Sequence, residues 1–319
     1  MRVFYYAPDT NTPSWGVGML YTHVRLLRAN GIDAFVLHQK PRFRPDWLDL
    51  DAPRAYRGNA AFKTSPEDLL VIPELFAADP EVRGLVGRRI VFVQASSFIS
   101  AGLGHARNYR QLGYEMAIAV MPHVREIVEK HYGVAAPVIP PCVAPYFFLD
   151  RARLDQPRKR QVALIPKVGC RDFPIVRQML RQGARDLGWR VVELENQTHR
   201  QVARVLRQSD FHVNVNCHES FNVTVPEAMA AGCIPICYEA FGGRDYLKNG
   251  TNAYVFPTHH AYPLLQRTLQ LMASYETRKL ELSKVRRHGL ATAKRYSEAR
   301  TEKALLDCFA ALARRSARK

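Results

Sequence analysis

The chain has 319 residues and a hydrophobic fraction of 47%, room for two domains of about 150 residues each and no sign of a disordered or fibrous class. Its net charge of +17 implies an anionic partner: nucleotide phosphates, nucleic acid or an anionic membrane surface. No apolar run approaches the roughly 20 residues of a membrane span, and the N-terminus lacks a signal-peptide core, so a cytoplasmic protein is expected.

In chain order, apolar runs alternate with helical patterns, which predicts parallel α/β architecture. Strands are expected at Val3–Ala7, Ala34–His38, Leu69–Ile72, Ile90–Val93, Met116–Val120 and Pro137–Ile139, with helices at Gly18–Ala29 and His123–His131. Residues 40–66, rich in Pro, Asp and Arg, read as a long loop. Leu149 to Arg160 reads as an interdomain linker. The pattern then restarts: strand Val162–Ile165, helix Phe173–Leu187, strand Arg190–Leu194, helix His199–Gln208, strand Phe211–Val215, helix Val225–Ala231 and strand Cys233–Tyr238. After Phe256 the chain reads as helical over Ala261–Tyr275, Arg278–Arg295 and Glu298–Arg315. In the last helix Leu305, Leu306, Phe309 and Leu312 share one face, which must dock on something apolar. Two α/β domains in series, 1–150 and 151–297, are therefore expected, with the terminal helix 298–319 packing back on the first.

Charge is divided unevenly between those halves. Residues 1–150 carry 16 Lys and Arg against 14 Asp and Glu, whereas residues 151–319 carry 30 against 15. No zinc finger, RNA-binding aromatic motif or long basic tract points to nucleic acid. The six cysteines form no CxxC pair, so buried free thiols are expected and a zinc site is not.

The chemistry concentrates in His218-Glu219-Ser220-Phe221-Asn222-Val223-Thr224-Val225-Pro226-Glu227-Ala228-Met229-Ala230-Ala231-Gly232-Cys233. A Val-rich strand ends, a short loop follows, and a helix starts with free N–H groups and a positive dipole end, which suits a phosphate. Asn222 stands where the chain needs φ > 0, which Asn tolerates. Glu219 and Glu227 can face one pocket, where carboxylates accept hydrogen bonds from sugar hydroxyls. A plainer reading of Thr224-x-x-Glu227 is a capping box that starts the helix.

The Glu-x7-Glu spacing, the Ala-Met-Ala-Ala-Gly-Cys continuation, the Gly242-Gly243 loop and the Lys248–Pro257 turn and strand resemble the donor site of retaining GT-B glycosyltransferases, family 4 in particular. The resemblance implies two Rossmann-like domains facing across a cleft, with transfer from a nucleoside diphosphate sugar and no further cofactor. It implies that Glu219 contacts the sugar, Glu227 the ribose, and Ser220, Phe221, Asn222, Val223 and Thr224 the sugar and phosphates. It also implies a cationic clamp on the diphosphate, best matched by Lys167 and Arg171, which would stabilise charge on the leaving group. In the first domain, Gly16 and Gly18 match the family's Gly-rich turn, where small residues let the backbone approach a ligand. Gln94 stands where many relatives carry His, so it can hydrogen-bond a sugar without titrating.

The implied acceptor is a glycan, a lipid-linked molecule or a small molecule, and the basic half is expected to hold the enzyme at the anionic inner face of a membrane. Asp49-Leu50-Asp51 follows no buried strand, so metal-independent chemistry is expected. The alternatives are a nucleotide-sugar epimerase and a non-catalytic GT-B scaffold binding nucleotide or a partner protein.

Overall fold

The computed structural model describes residues 1–166, 170–195, 197–217 and 219–316. The chain divides into two compact units, Met1–Cys142 together with the segment from Ala299, and Val143–Glu298.

Unit 1 runs β1 (Val3–Tyr6), α1 (Trp15–Ala29), β2 (Ala34–His38), β3 (Arg54–Tyr56), β4 (Leu69–Pro73), α2 (Pro80–Arg83), β5 (Arg88–Val93), α3 (Ile99–Leu103), β6 (Tyr114–Ala119) and α4 (Pro122–His131). Its sheet has the order β3-β2-β1-β4-β5-β6 with every pair parallel. Strands covered on both faces read as unbroken apolar runs rather than alternations. Accordingly β1 and β4 are buried along their whole length. The order reverses between β1 and β4, the switch point at which such sheets leave a crevice beyond the strand carboxyl ends.

Unit 2 contains β7 (Gln161–Leu164), α5 (Phe173–Asp186), β8 (Arg190–Glu193), α6 (His199–Gln208), β9 (Phe211–Asn214), α7 (Thr224–Ala230), β10 (Ile234–Tyr238), α8 (Ala240–Gly243), β11 (Tyr254–Phe256), α9 (Ala261–Ala273) and α10 (Lys279–Ala293). Its parallel sheet has the order β11-β10-β9-β7-β8, so its switch point lies between β7 and β9. The core packs Val162, Leu164, Phe211, Val213, Ile234 and Ile236 of the sheet against Val176 and Leu180 of α5 and Leu264 of α9. A last helix, α11 (Glu298–Ser316), returns to unit 1. It buries Leu305, Phe309 and Leu312, and its Thr301 hydroxyl donates to the Pro140 carbonyl at 2.8 Å.

Several sequence expectations need correction. The 40–66 stretch holds β3, which pairs with β2 from Val36 to His38. Residues 137–139 form no strand, only an isolated bridge from Val138 to Ala119. Gly242-Gly243 is the end of α8 rather than a loop. The boundary falls after Cys142, because Val143 N bonds Tyr296 O at 2.7 Å and Leu149 N bonds Ala230 O at 2.9 Å, both inside unit 2. The 149–160 stretch is thus part of unit 2 and not a linker. Regrouped by unit, the charges are 22 against 15 in unit 1 and 24 against 14 in unit 2. The excess of the C-terminal half is shared with unit 1 through α11. All six cysteines are free and buried. Among the described residues no helix is long and apolar enough to cross a membrane.

Candidate active site

In unit 2 the loops after β7 and β9 leave adjacent parallel strands at the switch point. The Cys170 thiol, on the first loop, donates to Val215 O at the end of β9, 3.2 Å away. Arg171 is therefore carried beside the 215–223 loop, with an exposed side chain. Lys167, its expected companion, lies outside the described residues. Asp172 anchors the same turn, accepting from Tyr238 Oη at 2.6 Å and from His259 Nδ1 at 3.1 Å.

The loop after β9 is held by a buried amide cage. Asn214 and Asn222 exchange reciprocal Nδ2–Oδ1 bonds of 3.2 Å, and Asn214 Nδ2 also donates to Thr224 Oγ1 at 2.7 Å. Asn216 N donates to Asn214 Oδ1 at 2.9 Å. These bonds impose φ 57° on Asn222, the left-handed conformation read for it from the sequence, in which most side chains are disfavoured. From the other side Tyr246 Oη donates to Phe221 O at 2.9 Å, and Gly242 N donates to Glu219 O at 3.1 Å. A Cβ on Gly242 would overlap the Ser220 carbonyl and lie 2.5 Å from Phe221 N, so glycine is required there. Ser220, Phe221 and Val223 are buried, while Glu219 and Thr224 are half-buried.

Glu227 does not cap its helix. The cap position is Val223, without a side-chain hydrogen bond, and Thr224 Oγ1 is engaged with Asn214 and Asn222 instead. A full capping box exists elsewhere, Thr198 with Gln201 at the start of α6. The Glu227 carboxylate, 2% exposed, bonds His199 Nε2 at 2.6 Å. His199 Nδ1 lies 2.6 Å from Tyr146 Oη. A carboxylate only accepts, so Nε2 carries the proton, and on the neutral ring Nδ1 accepts the Tyr146 hydroxyl. This Tyr146–His199–Glu227 chain escaped sequence reading because its members are 53 and 28 positions apart. The only local cue was His199 at the first position of a capped helix.

Gly16, Gly18 and Gln94 belong to unit 1. Gly16 and Gly18 lie in the first turn of α1, which starts at Trp15 with Ser14 as N-cap, and not in a loop before it. Gln94 Nε2 donates to Gly16 O at 3.3 Å, and a Cβ on Gly16 would overlap Gln94 Oε1. At Gly18 a Cβ would meet only Leu48 Cδ1, at 3.9 Å. Gln94 N and Ala95 N both donate to the buried Glu74 carboxylate, at 3.1 and 2.7 Å. Burial pushes the Glu74 carboxyl up to about 7 against those bonds. Sequence reading missed Glu74, whose spacing from Gln94 marks no motif.

Residues 179–281, which include the whole loop after β9, match the family model described as glycosyl transferases group 1. No curated protein matches the sequence. Among solved structures, sucrose-phosphate synthase from Thermosynechococcus elongatus is similar at TM-score 0.72 and 11% identity, over 98% of this chain and 99% of that one. HepE of Anabaena, in complex with UDP and glucose, is similar at TM-score 0.70 and 11% identity, over 98% and 100%. A glycosyltransferase from Rickettsia africae gives TM-score 0.67 and 12% identity, over 97% of each chain. The fold is GT-B, and with the matched segment the protein is a glycosyltransferase.

Proposed function

We propose that this protein moves a hexosyl group from a nucleoside diphosphate sugar to a hydroxyl of a glycan, lipid-linked or small-molecule acceptor, with retention and without metal. The observation that carries the reading is the caged loop after β9, at the switch point of unit 2 and inside the group 1 segment. Its backbone is preorganised before any ligand arrives, which a site for a departing diphosphate needs, because donors fixed in advance cost no reorganisation during reaction. In this reading Glu219 accepts from the sugar hydroxyls and Glu227 from the ribose. The loop from Ser220 to Thr224 lies along the sugar and phosphates, and Arg171 with Lys167 balances the leaving charge. Gly16, Gly18 and Gln94 serve the acceptor side or the donor phosphates from unit 1. The HepE complexes, solved with UDP and with UDP-glucose, make UDP sugars the first donors to test.

A thermal-shift screen of UDP, GDP, dTDP and ADP with their sugars tests the donor site. A nucleotide at about 100 times its Kd adds about 2.7 kcal/mol and raises the midpoint by several degrees. If none of them moves the midpoint, the donor reading fails. Glu219→Gln is expected to lower transfer at least roughly a hundredfold, with an unchanged melting temperature. A lost fold instead makes Glu219 structural. A non-catalytic scaffold remains the second reading because Gln94 cannot titrate, and it requires nucleotide binding with no sugar transfer. Peripheral attachment to an anionic membrane is part of the proposal, and co-sedimentation with anionic vesicles at low salt checks it.

A further inference from the structure

Unit 2 carries a concave site that none of the donor residues lines. A cavity of about 500 Å³ opens between α6 and the 146–159 stretch, lined by Arg153, Arg158, Lys159, Arg200, Arg204 and Arg207 with Tyr146, and by no carboxylate. Arg158 is structural. Its Nη1 donates to Arg207 O and Ser209 O at 2.8 and 2.9 Å and its Nη2 to Ala231 O at 3.2 Å, satisfying carbonyls at the ends of α6 and α7. Arg207 donates to Tyr146 O, and the Arg200 guanidinium lies 4.7 Å from the centre of the Tyr146 ring. Arg153, Lys159 and Arg204 are exposed. Among the described residues none of Arg153, Lys159, Arg200, Arg204 and Arg207 is ion-paired to a carboxylate.

Elsewhere in the unit several arginines have carboxylate partners. Arg177 and Arg181 share Glu193, Arg160 meets Glu276, Arg278 meets Glu281, and Arg286 meets Asp210. The two acids nearest the cavity in sequence do not line it and have other partners. Asp150 accepts from Ala152 N at 3.0 Å, and Asp155 bonds Arg287 and the Ser283 hydroxyl. Five unpaired cations around one concavity repel one another and concentrate positive potential there, a cost that a bound anion removes. Arginine forks match phosphate oxygens two at a time.

We propose that this cavity binds a multiply charged phosphate group, carried by a lipid headgroup or by a free polyphosphate. The proposal does not depend on the donor reading, since no cavity residue is one of the donor residues. The test titrates the full chain with inorganic tripolyphosphate and, separately, with vesicles of equal parts phosphatidic acid, whose phosphomonoester carries up to two charges, and phosphatidylcholine. The double variant Lys159→Glu/Arg204→Glu changes two exposed side chains and is expected to weaken tripolyphosphate about a hundredfold, roughly tenfold for each cation removed. Arg185→Glu/Lys284→Glu, with the same charge change at exposed positions outside the cavity, is expected to leave the affinity within about threefold of the parent. Arg171→Glu, at the donor loop, reports any tripolyphosphate held there rather than in the cavity. Vesicle binding lost together with tripolyphosphate binding identifies a lipid headgroup as the source. Tripolyphosphate binding without vesicle binding identifies a free phosphate. The proposal is overturned if the parent binds neither probe, if the cavity variant binds like the parent, or if the outlying or Arg171 variants lose as much.

Discussion

The two units share a doubly wound parallel design, yet they tie the loops beyond their strand carboxyl ends by different chemistry. In unit 2 the loop after β9 is tied by neutral groups, the side chains of Asn214, Asn222 and Thr224 and the backbone N–H of Asn216. In unit 1 the exit of β5 is tied by one buried carboxylate, Glu74, gripping two successive amides. An amide cage has no proton to lose across the physiological range, whereas a buried carboxylate held near neutrality does. The loop after β9 is thus built to keep its shape at any working pH, whereas the Gln94 loop is built on a group that titrates.

Three perturbations would break or sharpen that contrast. The largest is steric. Gly242→Ala drives a methyl into the Ser220 carbonyl, and overpacking against backbone costs about 3 kcal/mol. Denaturant midpoints measure this, and an unaffected variant would mean that the caged loop moves aside freely. The next is the acid–base test of unit 1. Burial raises the Glu74 pKa from an ordinary 4.5 to about 7, so the folded unit holds this proton more tightly than the unfolded chain. Its contribution is fully present below about pH 4.5 and is lost as pH rises through about 7, up to about 3 kcal/mol. Stability followed from pH 4.5 to 7.5 should fall with a slope that Glu74→Gln flattens. An identical slope in the variant assigns the pH dependence to other groups. The smallest effect separates backbone from side chain at Asn222. Asn222→Gly loses the amide bonds, and Asn222→Ala loses them and also pays for φ 57°, so alanine should be less stable than glycine by about 1 kcal/mol. Equal stability of the two variants shows that the left-handed turn relaxes once the cage is gone.

Much of the fold could be read in advance because buried parallel strands are unbroken apolar runs. The 34–38 strand and the 199–208 helix stand where periodicity puts them. β3 was hidden because its three residues, Arg54-Ala55-Tyr56, are only half-buried at the sheet edge and carry no apolar run. The 149–160 segment was misjudged for a related reason. Its charges suggested solvent, but Leu154 is buried and Arg158 is spent on backbone carbonyls. At the candidate site the motif residues were legible as letters in one stretch. Their partners were not, since Asn214, Tyr246, His199 and Tyr146 converge on Asn222, Phe221 and Glu227 only through the packing of separate elements.

The return of α11 to unit 1 makes that unit discontinuous in sequence, with all of unit 2 inserted between Cys142 and Ala299. During synthesis the ribosome delivers the six strands of the first sheet long before Leu305, Phe309 and Leu312, which complete its apolar surface. Unit 2, contiguous from end to end, can finish first. The nascent first unit must wait for the tail of the chain to complete its core. A stop codon shortly before α11 would therefore harm the oldest part of the molecule rather than the part nearest the lesion.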